Sequence, residues 1–410
     1  MNRLVRILIT IIYLSCGVKA QERTDIPFPA DTVGGEDLTV SIVTCDPGPD
    51  VYELCGHAAI RIRSASMDSV WNYGIFDFTS PNFIYRFCKG ETDYMVYGYQ
   101  FPRFMPVYVR RGSTVREQVL SLTQDEARRL RSMLQEESRP ENRVYRYNYV
   151  RDNCATRPWK RITQASNREI LLPDTLHYPT FRTEMRHFHH NYPWYQFGID
   201  LVLGSGLDYP LARDEDTFAP PVLAAKLAGA TIGGEPLVRE TNIIFSGASD
   251  ATLSPTPWWR TPMAAGILML LLSLGTMFAY LRKGRLWKWW ISLYFLAAGI
   301  AGCIVAFLVF FSEHEATSPN LLIWWLNPLQ LLIAAGIWWK SWRKPVALMA
   351  CYGLAMGLAL TFLIATHIAA QRVNPATWPM LLSILPLAAT ILLSSKIFVK
   401  SKTIDVKRTT

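Results

Sequence analysis

The sequence YNYVRDNCATR at residues 147–157 predicts a cysteine at the start of a helix. Asp152 and Asn153 directly precede Cys154, and both residue types cap helix N-termini through their side-chain oxygens. A thiolate in this position is stabilised by the positive end of the helix dipole, so we expect the pKa of Cys154 to be lowered. The N–H groups of the first turn can also stabilise an oxyanion when the sulfur attacks a carbonyl.

A second motif, CGHAAIR at residues 55–61, places His57 at the start of a predicted strand. Short β-rich segments separated by turn-forming residues surround it, which predicts an antiparallel sheet. A neutral His57 at the edge of this sheet would serve as the base for Cys154. The predicted strands are LTVSIVTC at 38–45, HAAIRIR at 57–63, SVWNYGIFDF at 69–78, TDYMVYGYQF at 92–101 and FMPVYVRR at 104–111.

Helical sequence follows these strands. In TQDEARRLRSMLQEE, residues 123–137, Thr123 is the predicted N-cap and Glu126 completes a capping box. The apolar residues Ala127, Leu130, Met133 and Leu134 then lie on one helix face. A sheet followed by amphipathic helices predicts an α+β domain.

The order of a GHAAIR strand before a YNYVRDNCATR helix resembles the lecithin:retinol acyltransferase-like branch of the permuted papain-like superfamily. The similarity is close over residues 38–160 and extends through LTVSIVTCDPG, WNYGIFDF, FCKG and ENRVYRYNY. With the apolar segments behind it, the whole pattern is similar to that of the Lnb-type lipoprotein N-acyltransferases. The resemblance implies a permuted papain-like antiparallel sheet with a catalytic helix, in which Cys154 is the nucleophile and His57 the base.

The third member of such a site is a polar residue on the strand beside His57. A hairpin turn after that strand would bring residues 72–77 alongside the histidine. Asn72 fits best, because a Cys-His-Asn arrangement needs only an acceptor to hold the imidazole tautomer. Asp77 is the alternative, and a hydrogen bond at the strand end is the structural alternative for Asn72. Tyr73 is a further candidate for lining the site.

Three arginines flank the motifs, and each has two interpretations. One of them could bind a lipid phosphate as a bidentate donor, or all three could form surface salt bridges. These residues are Arg61, Arg151 and Arg157.

Neither a metal nor another cofactor is expected. Adjacent histidines cannot all face one ion, and no second ligand cluster has matching spacing. This applies to His187, His189 and His190. The sequence leaves open whether Cys45 and Cys55 pair in an oxidising compartment, with Cys88 left over, or stay as free thiols.

The N-terminal sequence MNRLVRILITIIYLSCGVKA, residues 1–20, predicts an export signal. Two arginines precede an apolar segment, and small residues stand where signal peptidase needs them, so cleavage is expected after Ala20. Lipidation of Cys16 is the alternative, although Tyr13 stands where a lipobox requires a small aliphatic residue. Residues 21–257 are therefore predicted to form a domain in a bacterial periplasm.

Residues 258–400 are predicted to form an all-α bundle of five transmembrane helices, followed by a basic cytoplasmic tail at 401–410. Each apolar segment has about the 20 residues that a helix needs to cross a bilayer. In the third segment, Asn327, Pro328 and Gln330 could interrupt the helix. The segments are 261–281, 289–311, 321–339, 346–370 and 378–398.

Lysine and arginine cluster after the first, third and fifth apolar segments, which places the C-terminus in the cytoplasm by the positive-inside rule. These loops also account for much of the formal net charge of +9, so no nucleic-acid partner is expected. Tryptophans mark the segment ends, as in interfacial belts. The segments lack the repeated charged residues that pumps need, which argues against transport.

The resemblance implies transfer of an acyl chain from a membrane phospholipid, through a Cys154 thioester, to the α-amino group of a diacylglyceryl-cysteine lipoprotein. Two other classes stay open. A papain-like peptidase or amidase acting on cell-wall peptides would use the same cysteine and histidine, whereas a membrane receptor or assembly factor would have a structural Cys154. The apolar segments favour a lipid substrate, because a soluble wall hydrolase does not need five of them.

Overall fold

The structure is a computed structural model that describes residues 35–77, 80–175, 177–248 and 255–395. The predicted signal at 1–20, with Cys16, and the predicted tail at 401–410 lie outside the described residues. The chain divides into two compact units. The N-terminal unit comprises residues up to 191 together with 209–255, and the C-terminal unit comprises 192–208 together with the residues from 256 onward.

The N-terminal unit is built on a seven-stranded antiparallel sheet with the strand order β10-β5-β1-β2-β3-β4-β6. The predicted sheet is therefore confirmed. Its strands are Thr39–Cys45 (β1), His57–Arg63 (β2), Asp68–Ile75 (β3), Asp93–Gln100 (β4), Val115–Leu120 (β5), Val144–Arg146 (β6) and Val238–Phe245 (β10). A small second sheet contains Ile170–Leu171 (β7), Thr231–Ile232 (β8) and Glu235–Pro236 (β9).

Helices cover both faces of the large sheet. On one face, Ile60 of β2 and Trp71 of β3 belong to a core that also contains Leu130 and Ile162 from two of the helices. On the other face, Ala59 and its strand neighbours pack against a different helix. The helices of this unit are Phe83–Lys89 (α1), Phe101–Arg111 (α2), Gln124–Glu137 (α3), Thr156–Ala165 (α4), Phe181–Phe188 (α5) and Pro220–Ala228 (α7).

The predicted strand FMPVYVRR is wrong, because residues 101–111 form α2 instead. Phe101, Phe104 and Tyr108 are buried and recur at helical spacing, and a proline stands in the first turn, where its missing N–H costs nothing. Gly112 ends the helix with a left-handed φ of 73°. The chain then enters β5, a strand that the sequence analysis did not identify.

The capping box of α3 is confirmed. The Glu126 backbone N–H donates to Thr123 Oγ1 at 3.3 Å, and the Thr123 N–H donates to Glu126 Oε2 at 2.9 Å. Leu130 and Leu134 are fully buried on the face of α3 that packs into the core.

The C-terminal unit is helical. It contains Pro193–Val202 (α6), Pro262–Lys283 (α8), Lys288–Phe310 (α9), Gln330–Gly336 (α10), Arg343–Ala365 (α11), Thr377–Leu382 (α12) and Ile384–Ser395 (α13). Among the described residues, four helical stretches are long and apolar enough to cross a membrane: Pro262–Lys283, Lys288–Phe310, Lys340–Ala365 and Thr377–Ser395.

The third predicted span is interrupted at the position that Asn327, Pro328 and Gln330 indicated, so four rather than five of the predicted spans are long apolar helices among the described residues. A 3-10 turn at Leu321–Trp324 is followed by a break and then by α10. At the break, Asn327 Oδ1 accepts from the Leu329 N–H at 3.1 Å, and Gln330 Nε2 donates to the Trp325 carbonyl at 2.9 Å. These side chains satisfy backbone groups that a regular helix would pair internally, which is what makes an interrupted segment tolerable at membrane depth.

Residues 192–208 group with the C-terminal unit, although the sequence analysis placed them in the periplasmic domain. Within that unit, Asp200 accepts from Gln196 Nε2 at 2.7 Å and from Asn374 Nδ2 at 2.9 Å. The Leu201 carbonyl accepts from Asn320 Nδ2 at 2.9 Å. These buried or half-buried bonds tie α6 to loops between the membrane-spanning helices.

Candidate active site

His57 opens β2 on the sheet face that α2 covers, directly opposite Cys45 of β1. Its imidazole lies beside two aromatic rings of α2, with ring centroids 6.3 Å from Phe104 and 6.1 Å from Tyr108. Burial lowers the pKa of His57 to about 4, and the positive charge of Arg111 acts in the same direction. The imidazole is therefore neutral at physiological pH.

Asn72 holds this imidazole. Its Oδ1 lies 2.6 Å from His57 Nε2, and its Nδ2 donates to the Tyr99 hydroxyl at 2.8 Å. The antiparallel register pairs Asn72 with Ala59, which sets the amide beside the start of β2. With the amide nitrogen engaged by Tyr99, the imidazole carries its proton on Nε2, and the lone pair is on Nδ1.

Cys154 lies two residues before the start of α4, whose N-cap residue is Ala155. Asn153 Oδ1 accepts from the N–H groups of Ala155 at 2.8 Å and Thr156 at 3.0 Å. The other predicted cap, Asp152, accepts instead from Arg157 at 2.8 Å. Cys154 thus lies just before a helix as predicted, but neither Asp152 nor Asn153 is the N-cap residue of that helix, and Asn153 instead accepts from N–H groups beside the helix start.

The expected lowering of the Cys154 pKa is wrong. Cys154 is only 9% exposed, and burial raises the pKa of its thiol to about 11. Hydrogen bonds from the backbone N–H groups of Ala58 and Cys154 oppose this shift without cancelling it. The bond from Ala58 also shows that the sulfur lies against the strand residue that follows His57. The structure therefore brings the thiol and the imidazole to the same strand end, both in their neutral forms.

The structure adds residues that the sequence analysis did not identify. Tyr99 fixes the Asn72 amide, and Phe104 and Tyr108 pack around the imidazole. Gly74, with a φ of +88°, leaves open the space between the Tyr147 ring and the Cys154 Cβ. The pairing of β3 with β4 is irregular between Asn72 and Ile75. A glycine inside a predicted strand often marks such an irregularity, so Gly74 is the sequence signal that could have indicated it.

The two other candidates on or after β3 are Tyr73 and Asp77. Tyr73 is fully buried in the core on the opposite sheet face from Asn72, and its hydroxyl donates to Glu137 at 2.7 Å. It therefore packs in the interior and does not line the site. Asp77 lies two residues past the end of β3, whereas the contact with the imidazole is made by Asn72.

The flanking arginines are engaged with carboxylates. Arg61 is buried and donates to both oxygens of Asp68 at 2.7 Å and to Glu117 at 3.2 Å. Arg157 donates to Glu137 and Asp152 at 2.8 Å each. Arg151 is exposed, donates to the Tyr209 hydroxyl at 2.7 Å and forms a salt bridge with Glu215 at 3.5 Å. The salt-bridge interpretation therefore fits all three arginines, although Arg61 is buried.

Within residues 35–77, 80–175, 177–248 and 255–395, no three His, Cys, Asp or Glu side chains are grouped so as to hold a metal ion. His187 and His190 lie at the end of α5, where His190 Nδ1 is 2.6 Å from the His187 carbonyl oxygen. Cys45 and Cys55 are separate free thiols, so their pairing is not formed, and Cys55 Sγ lies 3.3 Å from the Tyr149 hydroxyl.

A sheet-and-helix domain that brings Cys154, His57 and Asn72 to one strand end, followed by membrane-spanning helices, defines a membrane-anchored protein with a candidate thiol active site. Residues 27–184 match the Lnb N-terminal periplasmic domain, and residues 254–397 match the Lnb transmembrane domain. The chain belongs to the Lnb family, and it is an inner-membrane protein with several spans and a periplasmic domain. No curated protein and no solved structure matches it.

Proposed function

We propose that the protein is a lipoprotein N-acyltransferase that moves an acyl chain from a membrane phospholipid to a lipoprotein through a thioester on Cys154. The family match supports an acyltransferase. The observation that carries the chemistry is the 2.6 Å contact between His57 Nε2 and Asn72 Oδ1, at the strand end where the Ala58 N–H reaches the Cys154 sulfur.

In the first step, His57 Nδ1 takes the Cys154 proton while the sulfur attacks an ester carbonyl of the phospholipid. The oxyanion that forms is stabilised by backbone N–H groups next to the sulfur, such as that of Ala58. The carbon–oxygen ester bond then breaks, and the imidazolium returns its proton to the leaving glycerol oxygen. The products are a lysophospholipid and a Cys154 thioester.

In the second step, the α-amino group of a diacylglyceryl-cysteine lipoprotein attacks the thioester. His57 takes a proton from the attacking amine, the carbon–sulfur bond breaks, and the thiol regains its proton. The product is an amide-linked third acyl chain. Because both substrates reside in the bilayer, a thiol domain tethered to the membrane meets them without a search through bulk solution.

The neutral state of both groups has a chemical consequence. A thiol with a raised pKa and an imidazole with a lowered pKa do not form a stable ion pair before substrate binds. Charge then develops mainly as the carbonyl is attacked, so the preorganised Asn72 amide and backbone N–H groups stabilise the transition state more than the resting enzyme.

The test is a stoichiometric assay. Full-length protein in phospholipid micelles is given a diacylglyceryl lipopeptide with a free N-terminus, and mass spectrometry follows lysophospholipid and N-acylated peptide. We expect equal amounts of the two products. An N-acetylated lipopeptide should stop turnover but leave a single-turnover thioester on Cys154.

The control is Cys351→Ala, which removes an exposed thiol of the C-terminal unit and should turn over like the unmodified protein. Cleaved peptide bonds without lysophospholipid would replace the proposal with a cell-wall peptidase or amidase. If neither lipid nor peptide changed, the protein would be a non-catalytic assembly factor.

A further inference from the structure

Tyr147, seven residues before Cys154, is half-buried and has a hydroxyl group with no role in the two steps proposed above. Its ring stacks on the Tyr94 ring with centroids 4.2 Å apart, and its centroid lies 6.5 Å from that of Tyr145. The side chain also packs against the core of the large sheet. These contacts hold the ring in one orientation, so they also fix where the hydroxyl group lies.

The hydroxyl end of this ring lies beside the candidate nucleophile. A Cβ placed on Gly74 would lie 3.6 Å from Tyr147 Cε2 and 3.8 Å from the Cys154 Cβ. Cε2 is bonded to the ring carbon that carries the hydroxyl, so this end of the ring and the cysteine border the same small space. Gly74, which has no side chain, leaves that space open.

The Tyr147 hydroxyl has no hydrogen-bond partner in the described part of the chain. Neither Cys154 nor any other residue within 35–77, 80–175, 177–248 and 255–395 makes a hydrogen bond with it. The hydroxyl of Tyr149, two residues further along, differs in this respect, because it lies 3.3 Å from Cys55 Sγ. A half-buried hydroxyl beside a reactive atom and without a partner is free to bind a ligand that brings an acceptor.

The Tyr147 hydroxyl keeps its proton. Burial raises the pKa of Tyr147 well above the ordinary value of a phenol, and a negative charge on the Cys154 sulfur acts in the same direction. The group is thus a hydrogen-bond donor throughout the physiological pH range and a poor general acid, because it does not release its proton. A donor of this kind stabilises a developing negative charge without moving a proton.

We propose that the Tyr147 hydroxyl donates a hydrogen bond to the oxyanion formed at Cys154, both when the sulfur attacks the donor ester and when the amine attacks the thioester. This inference rests on the proposed function and adds a catalytic residue to it. The Ala58 N–H, which reaches the sulfur, is the second donor. Oxyanion sites combine backbone N–H groups with side-chain donors, and such donors act most strongly where water is excluded, as at a thiol that is 9% exposed.

The test compares two reactions of the same thiol. Acylation by p-nitrophenyl acetate passes through an oxyanion, whereas alkylation by iodoacetamide displaces iodide and does not. Full-length Tyr147→Phe and unmodified protein in detergent micelles are treated with each reagent, and mass spectrometry follows the peptide that contains Cys154. We expect the acylation rate to fall by about 10² in Tyr147→Phe, the loss typical of removing one oxyanion donor, while the alkylation rate is unchanged.

The matched control is Tyr149→Phe, which removes a hydroxyl from the same segment, one that contacts Cys55 Sγ. This variant should be acylated and alkylated at the rates of the unmodified protein. Equal acylation rates in Tyr147→Phe and the unmodified protein would overturn the inference. An equal loss in acylation and alkylation would also overturn it, because the hydroxyl would then act on the thiol or on the fold rather than on the oxyanion.

The outcomes also separate this inference from the proposed function. Parallel reactions of all three proteins use a phospholipid as the acyl donor. If the unmodified protein is acylated by the small ester but never by phospholipid, the proposed function fails, and the comparison of Tyr147→Phe with Tyr149→Phe still decides the role of the hydroxyl. If both donors acylate it and Tyr147→Phe reacts as fast, only the inference fails. If neither donor acylates Cys154, both fail.

Discussion

Two titratable groups of the periplasmic domain, the half-buried His57 imidazole and the fully buried Glu184 carboxyl, have pKa values shifted in opposite directions by the same cause. Burial lowers the pKa of His57 to about 4 and raises the pKa of Glu184 to about 9. Each shift favours the neutral form, because a charge is poorly solvated in the interior. Their surroundings otherwise differ.

Glu184 lies on α5 with no exposed surface, near a fully buried ion pair between Asp216 and Lys226. The negative charge of Asp216 adds to its raised pKa. His57 instead contacts the uncharged amide of Asn72 and lies one residue from the Ala58 N–H that bonds to Cys154. A shifted pKa by itself does not identify a reactive site. The orienting hydrogen bond and the adjacent nucleophile distinguish the His57 region.

The largest expected effect is that of removing the nucleophile. Cys154→Ala should abolish N-acylation of lipoproteins in a strain that lacks other N-acyltransferases, because no thioester can form. The variant should still accumulate in the membrane. Wild-type amounts of N-acylated lipoprotein in this strain would show that Cys154 is not the nucleophile. The His57 region would then have no more claim to be the active site than the Glu184 region.

Loss of the base should have the next largest effect. His57→Ala should lower the acyl-transfer rate by about 10² or more, the factor typical of a lost general base. The comparison variant Glu184→Gln should reduce it far less, since that carboxyl has no assigned step. The rates are measured as lysophospholipid release by full-length protein in micelles. A similar loss in both variants would erase the distinction between the two regions.

Asn72→Ala should have a smaller effect than His57→Ala, because it removes an orienting acceptor and leaves the base in place. A merely structural role would not change how the site titrates. The Asn72 bond raises the pKa of His57 against the effect of burial, so its loss should move the acid limb of the pH–rate profile to lower pH. An unchanged profile with reduced activity would argue for general destabilisation.

Local sequence signals were enough to predict several features of the fold and the candidate site. The capping box at Thr123 and the strand beginning at His57 each depend on residues close together in the chain. The sequence also offered both Asn72 and Asp77 as partners for the histidine. The β2–β3 register favours the former as the contact, and register depends on non-local pairing.

The failures have non-local causes. FMPVYVRR is rich in β-forming residues, but its buried aromatic residues follow a helical period and pack on the sheet face that holds His57. The helix start at Cys154 suggested a lowered pKa, yet the sulfur is covered by parts of the chain distant in sequence, and burial dominates. Strand β10 pairs with β5 from more than a hundred residues away, which no local pattern indicates.

The stability of the domain should also distinguish the two buried groups. Between pH 4.5 and 9, folded Glu184 keeps a proton that the unfolded chain releases, so the free energy of unfolding falls as pH rises. Glu184→Gln removes this dependence, which amounts to at most about 1.4 kcal/mol per pH unit. Urea titrations in detergent from pH 5 to 9 should show that the free energy of unfolding of the variant increases relative to that of the unmodified protein as pH rises. Exposed Glu141→Gln is the control and should show a constant difference.

The smallest expected effect has the opposite sign of pH dependence and comes from His57. Its pKa is lowered from 6.5 to about 4, a narrower window than that of Glu184. As pH falls below 6.5, the unfolded chain takes up a proton that folded His57 refuses, so the free energy of unfolding declines toward pH 4. His57→Gln should flatten this decline, whereas exposed His190→Gln should leave it in place. If His57→Gln kept the full acid dependence, the imidazole would be charged or solvated in the folded protein. The resting enzyme would then contain a thiolate–imidazolium pair instead of a neutral thiol and a neutral imidazole.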